Sequence, residues 1–262
     1  MMLGKLMKYD LKSMFKVFVP LWLALLAVSV INRFTTNFSG RGGMISTLPT
    51  VIFMILYVGL IIAVMVVAIA LIIMRFYHGL LKDEGYLMFT LPVKPWQLVT
   101  SKCLTATIVS ILSFIAAILS VCFIAMDGAA IKEIVRGIQQ MAQYLTGDMV
   151  LTCVLGILSI IAAVIASVTH IYASLAIGHL AHSHRIGWAV VAYIGINMLF
   201  SALGVMFGSM ADHYHWQFEF NIQNGVVAVN LILLGLLILC IIQIVIFFVV
   251  TERILSKKLN LE

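Results

Sequence analysis

Apolar residues along this chain gather into six long runs: Phe15–Ile31, Val51–Met74, Leu104–Met126, Met149–Ile177, Gly187–Met210 and Gly225–Val250. A hydrocarbon core about 30 Å thick takes roughly 20 apolar residues of helix to cross, so each run reads as a membrane span. The first is short and carries Pro20 in its opening turn, where a missing N–H matters least. The fourth, 29 residues long, overreaches the hydrocarbon unless it tilts or bends. No regular strand alternation appears in the runs, which excludes a β-barrel. The pattern predicts an all-α integral membrane protein: one transmembrane domain over residues 1–262, built as a six-span helical bundle.

Between and before the runs the pattern changes. From Met2 to Phe18, Leu3, Leu6, Met7, Leu11, Met14 and Phe18 share one side of a helix and Lys5, Lys8, Lys12 and Lys16 the other. Such a helix is expected in the interface, with its lysines among headgroups. Ile131, Ile134, Val135, Ile138, Met141 and Leu145 mark a second amphipathic helix. In "DHYHWQFEFNIQN" the period is two: Tyr214, Trp216, Phe218 and Phe220 alternate with polar neighbours. This predicts an extended piece with its aromatic edge in the interfacial belt, as an anchor or an outer lip. Within the spans, Ala162, Ala163 and Ala166, and Gly204 with Gly208, have the spacing that lets helices approach closely.

Composition agrees with the spans. The chain is 63% hydrophobic and 10% charged, against about 45–50% and about 25% in a soluble domain. Charge adds direction. With the N-terminus inside, Lys5, Lys8, Lys12, Lys16, Arg75, Lys82, Lys94, Lys102, Arg185, Arg253, Lys257 and Lys258 fall on the cytoplasmic side, and only Arg33, Arg41, Lys132 and Arg136 outside. Both termini are therefore expected in the cytoplasm. The net charge of +6 then reflects topology and anionic headgroups rather than nucleic acid. A basic start before an apolar run also suits a signal peptide, but with further structure on both flanks it reads as an anchoring span. Cys103, Cys122, Cys153 and Cys240 fall in or at the ends of spans without metal-ligand spacing, as buried thiols do, with a meeting of Cys122 and Cys153 near the outer surface as the alternative.

Several chemistries lack their parts. Apart from Lys16, the second residue of the first run, no Asp, Glu, Lys or Arg lies inside the six runs, whereas ion-coupled carriers place ionisable groups near the midplane. There is no G-x-x-x-x-G-K-[ST] phosphate loop, so ATP hydrolysis by this chain alone is not expected. His170, His179, His182 and His184 cluster near the end of the fourth run, but without a nearby acid they read as interface residues before metal ligands. Ser209 has no recognisable base partner, and no enzyme activity is expected of the chain by itself.

One stretch belongs neither to a span nor to a solvated loop: "HGLLKDEGYLMFTLPVKPWQLVTSK", His78–Lys102, placed in the cytoplasm by the charge rule. Pro92 and Pro95 stop an upstream helix, and Pro95 suits the first position of the helix that carries Trp96 into the third span. A short helix, a break and a new helix are predicted. Leu87, Met88, Phe89 and Leu91 are free to pack, beside the charges of Asp83 and Glu84.

Six spans, a two-faced N-terminal helix and "EGYLMFTLPVKPWQLVTSK" after the second span together resemble the permease subunits of type-2 ABC exporters. The family pattern has an acidic residue and glycine, a Leu-Pro-Val-like turn, then a lysine opening the next span. Glu84, Gly85, Leu91-Pro92-Val93 and Lys102 match it. The likeness in architecture covers nearly the whole chain, and the motif about 25 residues. The resemblance implies a coupling helix, with Asp83, Glu84, Gly85, Leu87, Met88, Phe89, Leu91 and Pro92 docking into a separate ABC ATPase subunit that holds ATP and Mg. It implies a second permease chain, the same or homologous, and residence in a bacterial plasma membrane. The outer segment with Tyr214–Phe220 corresponds to the family's re-entrant region, with no residue role carried over. The apolar spans suit an amphiphilic or hydrophobic cargo: a peptide, lipid or drug. The alternatives are a sensor or scaffold that docks an ATPase without transport, or a carrier or channel acting alone.

Overall fold

The computed structural model describes residues 2–39, 44–81, 95–125, 132–133, 135–137, 139–140, 147–181, 184–213 and 225–257. Long helices account for nearly all of them: α1 (Met2–Ser39), α2 (Met44–Phe76, running into a π-helical turn at Tyr77–Leu81), α3 (Pro95–Ala125), α4 (Gly147–Gly178), α5 (Arg185–His213) and α6 (Gly225–Lys257). Each contains a stretch long and apolar enough to cross a membrane, and no strand occurs among the described residues. The protein is an all-α, multi-pass integral membrane protein. Helix is the form apolar segments take here because hydrocarbon offers no partner to a free backbone N–H or C=O. The described fragments between 132 and 140 are also helical, and of the apolar face expected there only Val135 is described.

Every span is longer than its apolar run. The largest difference is at the N-terminus, where the expected interfacial helix is no element of its own but the first turns of α1, which continues through Pro20. At 1.5 Å per residue its 38 residues measure about 57 Å, nearly twice the hydrocarbon thickness. Proline takes one donor from the ladder without ending the helix, as membrane helices tolerate where neighbours pack against them. The lysines at 5, 8, 12 and 16 are all exposed. The opposite stripe is less an interfacial face than part of a protein core, since Met14 and Phe18 are buried and Leu11 packs beside them.

The chain divides into two compact units, one formed by residues 1–72 and 104–145 and the other by 73–103 and 146–262. In the first, Met14 and Phe18 of α1 meet Ala68 of α2 and Val109 of α3, with Phe15, Trp22 and Leu71 around them. Trp22 packs edge-on to Phe15 and tilted against Phe18. Polar pairs then tie the three helices. The Trp22 indole N–H donates to Ser113 Oγ at 3.2 Å, and the Tyr57 and Ser120 hydroxyls lie 2.8 Å apart. Arg33 donates to the Phe123 carbonyl at 3.4 Å.

In the second unit α4 is central. Leu155, Ser159, Ala162, Ala166 and Thr169 form a buried stripe at helical spacing. Thr152 Oγ1 donates to Asn230 Oδ1 of α6 at 2.6 Å, and Ser159 donates to the Leu233 carbonyl at 3.3 Å. Ala162 and Ala166 are buried as close packing requires, but Ala163 is exposed. A Cβ on Gly204 would meet nothing within 4 Å, so close approach there is not realised, and the Gly208 side of that pair lies outside the described side chains. The tightest approach is elsewhere: a Cβ on Gly178, the last residue of α4, would overlap the backbone of Ala189 in α5.

Candidate functional site

The residues from Asp83 to Pro92 lie outside those described, as do Tyr214, Trp216, Phe218 and Phe220. What is described is the root of the 82–94 segment, the two helix ends from which it departs, and both belong to the second unit.

The upstream end is the π turn Tyr77–Leu81. Widening a helix by one residue redirects its side chains, and such turns often mark functional positions. Here Leu80 and Leu81 are buried, and Phe76 just before them stacks on Tyr172 of α4, ring centroids 4.1 Å apart at 15°. The downstream end begins at Pro95, the first residue of α3 as expected from its ring geometry. One and two turns on, Leu98, Val99 and Ser101 are buried. The Tyr172 hydroxyl donates to the Lys102 carbonyl at 3.2 Å. One tyrosine of α4 thus holds both ends, its ring on α2 and its hydroxyl on α3.

The apolar run begins at Leu104, but the helix begins at Pro95, so Lys102 lies two turns inside it and is only 6% exposed. Its Nζ lies 3.3 Å from the point where a Gly79 Cβ would stand. The glycine makes room for the ammonium beside the final turn of α2, where helix carbonyls point outward and favour a cation. Gly79 is explained by space, not by backbone conformation, since no glycine has positive φ among the described residues.

The histidines near the end of the fourth run lie in and after α4. Among the described residues no group of three or more His, Cys, Asp or Glu could hold a metal. His182 lies outside the described residues. His170 and His179 are buried within the protein. His170 is sandwiched between Tyr193 of α5 (4.5 Å, 18°) and Phe247 of α6 (4.8 Å, 9°), which joins three spans through one ring. Its Nε2 is buried without a hydrogen-bond partner. His179 sits in the turn after α4, Nε2 at 2.7 Å from the Leu81 carbonyl and 3.3 Å from Arg185 Nη1. His184, in the same turn, has φ 52°, a left-handed conformation that histidine tolerates better than most residues. All four cysteines are free thiols, with Cys103 buried and Cys153 exposed.

Tyr172, Phe76, Gly178 and His179 had no part in the sequence reading of the docking stretch. The usable signal was Pro95: once it is the first helical residue, Lys102 must lie inside the helix. Most other hydroxyls in the spans bond to their own helix, as Ser29 to Leu26, Thr169 to Ile165 and Thr251 to Phe247. They satisfy themselves and carry no chemistry.

Fold and site together define a six-span helical membrane protein with a buried, hydrogen-bonded root beneath the segment that joins its second and third spans. No protein-family model, curated protein or solved structure matches the chain.

Proposed function

We propose that this chain is the permease subunit of an ATP-driven exporter, similar to the type-2 ABC class, and that residues 82–94 dock a separate ATPase. The observation that carries the reading is the root. A segment that only linked two spans would need no buried support, whereas one that receives force must be fixed at both ends, and here Phe76, Tyr172, Lys102 and His179 supply that fixing. The motif residues Glu84, Gly85 and Leu91-Pro92-Val93 lie between its two ends in the sequence. On this reading Leu87, Met88 and Phe89 supply the apolar contact. Glu84 sets register, since exposed ion pairs contribute only about 0–1 kcal/mol. ATP and Mg belong to the partner, two permease chains act together, the docking face and both termini lie in the cytoplasm of a bacterial cell, and the cargo is amphiphilic or hydrophobic.

The test is copurification of a Walker-motif ATPase with this chain. Replacing Met88 and Phe89 with Ala is expected to release it, since truncated interface anchors cost about 2 kcal/mol or more each, while the thermal stability of the permease stays unchanged. An ATPase held as tightly by the double variant as by the unaltered chain would remove the docking assignment.

A further inference from the structure

One face of α1 changes character along its length. Lys5, Lys8, Lys12 and Lys16 recur on it every three or four residues, all exposed, and the same face continues as Val19, Leu23, Val30 and Phe34, exposed as well. The opposite face is buried before and after Pro20, at Met14, Phe18, Leu25, Ser29 and Asn32. The helix keeps its course past the proline, because its partners on α3 advance in step with it. Phe18 clusters with Val109, Trp22 bonds Ser113 and Arg33 bonds Phe123. Met14 and Leu11 belong to the same cluster as Phe18. The basic turns therefore extend the axis of a span instead of lying across the membrane surface. Asp10, the one acid of α1, is two residues from Lys8 and from Lys12 and so on the other side of the helix.

We infer that this face of α1 binds an anionic phospholipid, with Lys12 and Lys16 on the phosphate and Val19 and Leu23 against the acyl chains. The apolar part of the face, Val19 to Phe34, runs for about 22 Å of helix axis and fits within the hydrocarbon. Lys16 and Lys12 stand about 4 and 10 Å beyond Val19, where the polar layer adds about 5–7 Å and a lysine stem bends to bring its ammonium to the phosphate. Charge selects the lipid: the face carries cations with no acid among them, so a headgroup with net negative charge is favoured over a zwitterionic one. Lys8 and Lys5 lie about 6 and 10 Å further out than Lys12, against a Debye length of about 8 Å, and add less. This unequal share distinguishes an upright helix from one lying flat among headgroups, in which all four lysines would contribute alike. It holds whether or not the chain exports.

The experiment uses the full chain in lipid nanodiscs, with the four native cysteines replaced and a fluorophore on Ala27→Cys, an exposed position on the same face. Quenching by nitroxide-labelled phosphatidylglycerol is compared with quenching by nitroxide-labelled phosphatidylcholine at the same low fraction. A lysine at the surface strengthens anionic-lipid binding about fivefold, so two in contact predict a preference for phosphatidylglycerol on the order of twentyfold. Lys12→Gln with Lys16→Gln should reduce the preference to about threefold or less, whereas Lys5→Gln with Lys8→Gln should change it by no more than about twofold. Lys12→Arg with Lys16→Arg keeps the charge and should keep the preference. Equal quenching by the two lipids in the parent chain would overturn the inference and leave the lysines to an acidic protein surface. Equal losses from the two glutamine pairs would overturn it too, as would loss of the preference in the arginine pair. So would abolition of the preference by inorganic phosphate at constant ionic strength, which would mean a site for the free anion.

Discussion

Gly178 offers the sharpest test of the packing. A methyl group there would overlap the Ala189 backbone, and backbone cannot rotate away as the end of a side chain can. Inserting one carbon into a packed site costs about 1–3 kcal/mol, and an obstruction made of main chain belongs at the upper end. Alanine returns something through helix propensity, up to about 1 kcal/mol in a helix interior and less at the last residue of α4. The net expectation for Gly178→Ala is destabilisation by about 2 kcal/mol. Gly156 is the control, because it lies on the same helix with nothing within 4 Å of its would-be Cβ. Gly156→Ala should be neutral or stabilising by up to about 1 kcal/mol. The two variants then differ by about 3 kcal/mol, or on the order of a hundredfold in the unfolding equilibrium. Reversible unfolding in mixed micelles with increasing SDS, followed by tryptophan fluorescence, measures both. If Gly178→Ala is as stable as Gly156→Ala, the close approach of α4 and α5 is wrong.

Two further measurements bear on the second unit. Tyr172→Phe removes the hydrogen bond to the Lys102 carbonyl and should cost about 0.5–1.5 kcal/mol. Tyr172→Ala, which also vacates the stack on Phe76, should cost about 3–5 kcal/mol; equal losses would mean that the ring contributes nothing. A double-mutant cycle of Thr152→Val and Asn230→Leu, read in the same SDS assay, should give a coupling energy of about 0.6–1.7 kcal/mol. Strict additivity would show that the 2.6 Å contact does not stabilise the α4–α6 pair.

The six spans are legible in the sequence because a run of some 20 apolar residues has few stable alternatives to a buried or membrane-spanning helix. What the pattern does not convey is direction within the span. Lipid and protein interior are equally apolar, so no periodicity separates exposed Ala163 from buried Ala162, or the open surroundings of Gly204 from the crowded ones of Gly178. The extents of the helices were underestimated for a related reason. A polar residue such as Lys102 breaks an apolar pattern without breaking a helix or leaving the packed interior. Pro95 was readable because its constraint is local, fixed by its own ring. Tyr172 was not, because its importance depends on Phe76 and Lys102, which lie 96 and 70 positions away and meet it only in the fold.

The few hydrogen bonds that cross between helices also carry information about order of synthesis. A serine or threonine bonded to its own helix enters the bilayer already satisfied, but Trp22, Tyr57 and Asn230 each present a group whose partner is on another helix. Trp22 and Tyr57 precede their partners Ser113 and Ser120, so α1 and α2 must reach the membrane with these groups unmet and wait for α3. Asn230 is the reverse case: Thr152 lies 78 residues earlier, and α4 is already in place when the carboxamide of α6 arrives. The last helix is thus received by a ready partner, whereas Trp22 and Tyr57 meet theirs only when the third has been made. Truncation after α2 should leave a pair of helices that insert but seek hydrogen bonds elsewhere. Truncation after α5 should leave α4 with a hydroxyl that can fall back on its own backbone.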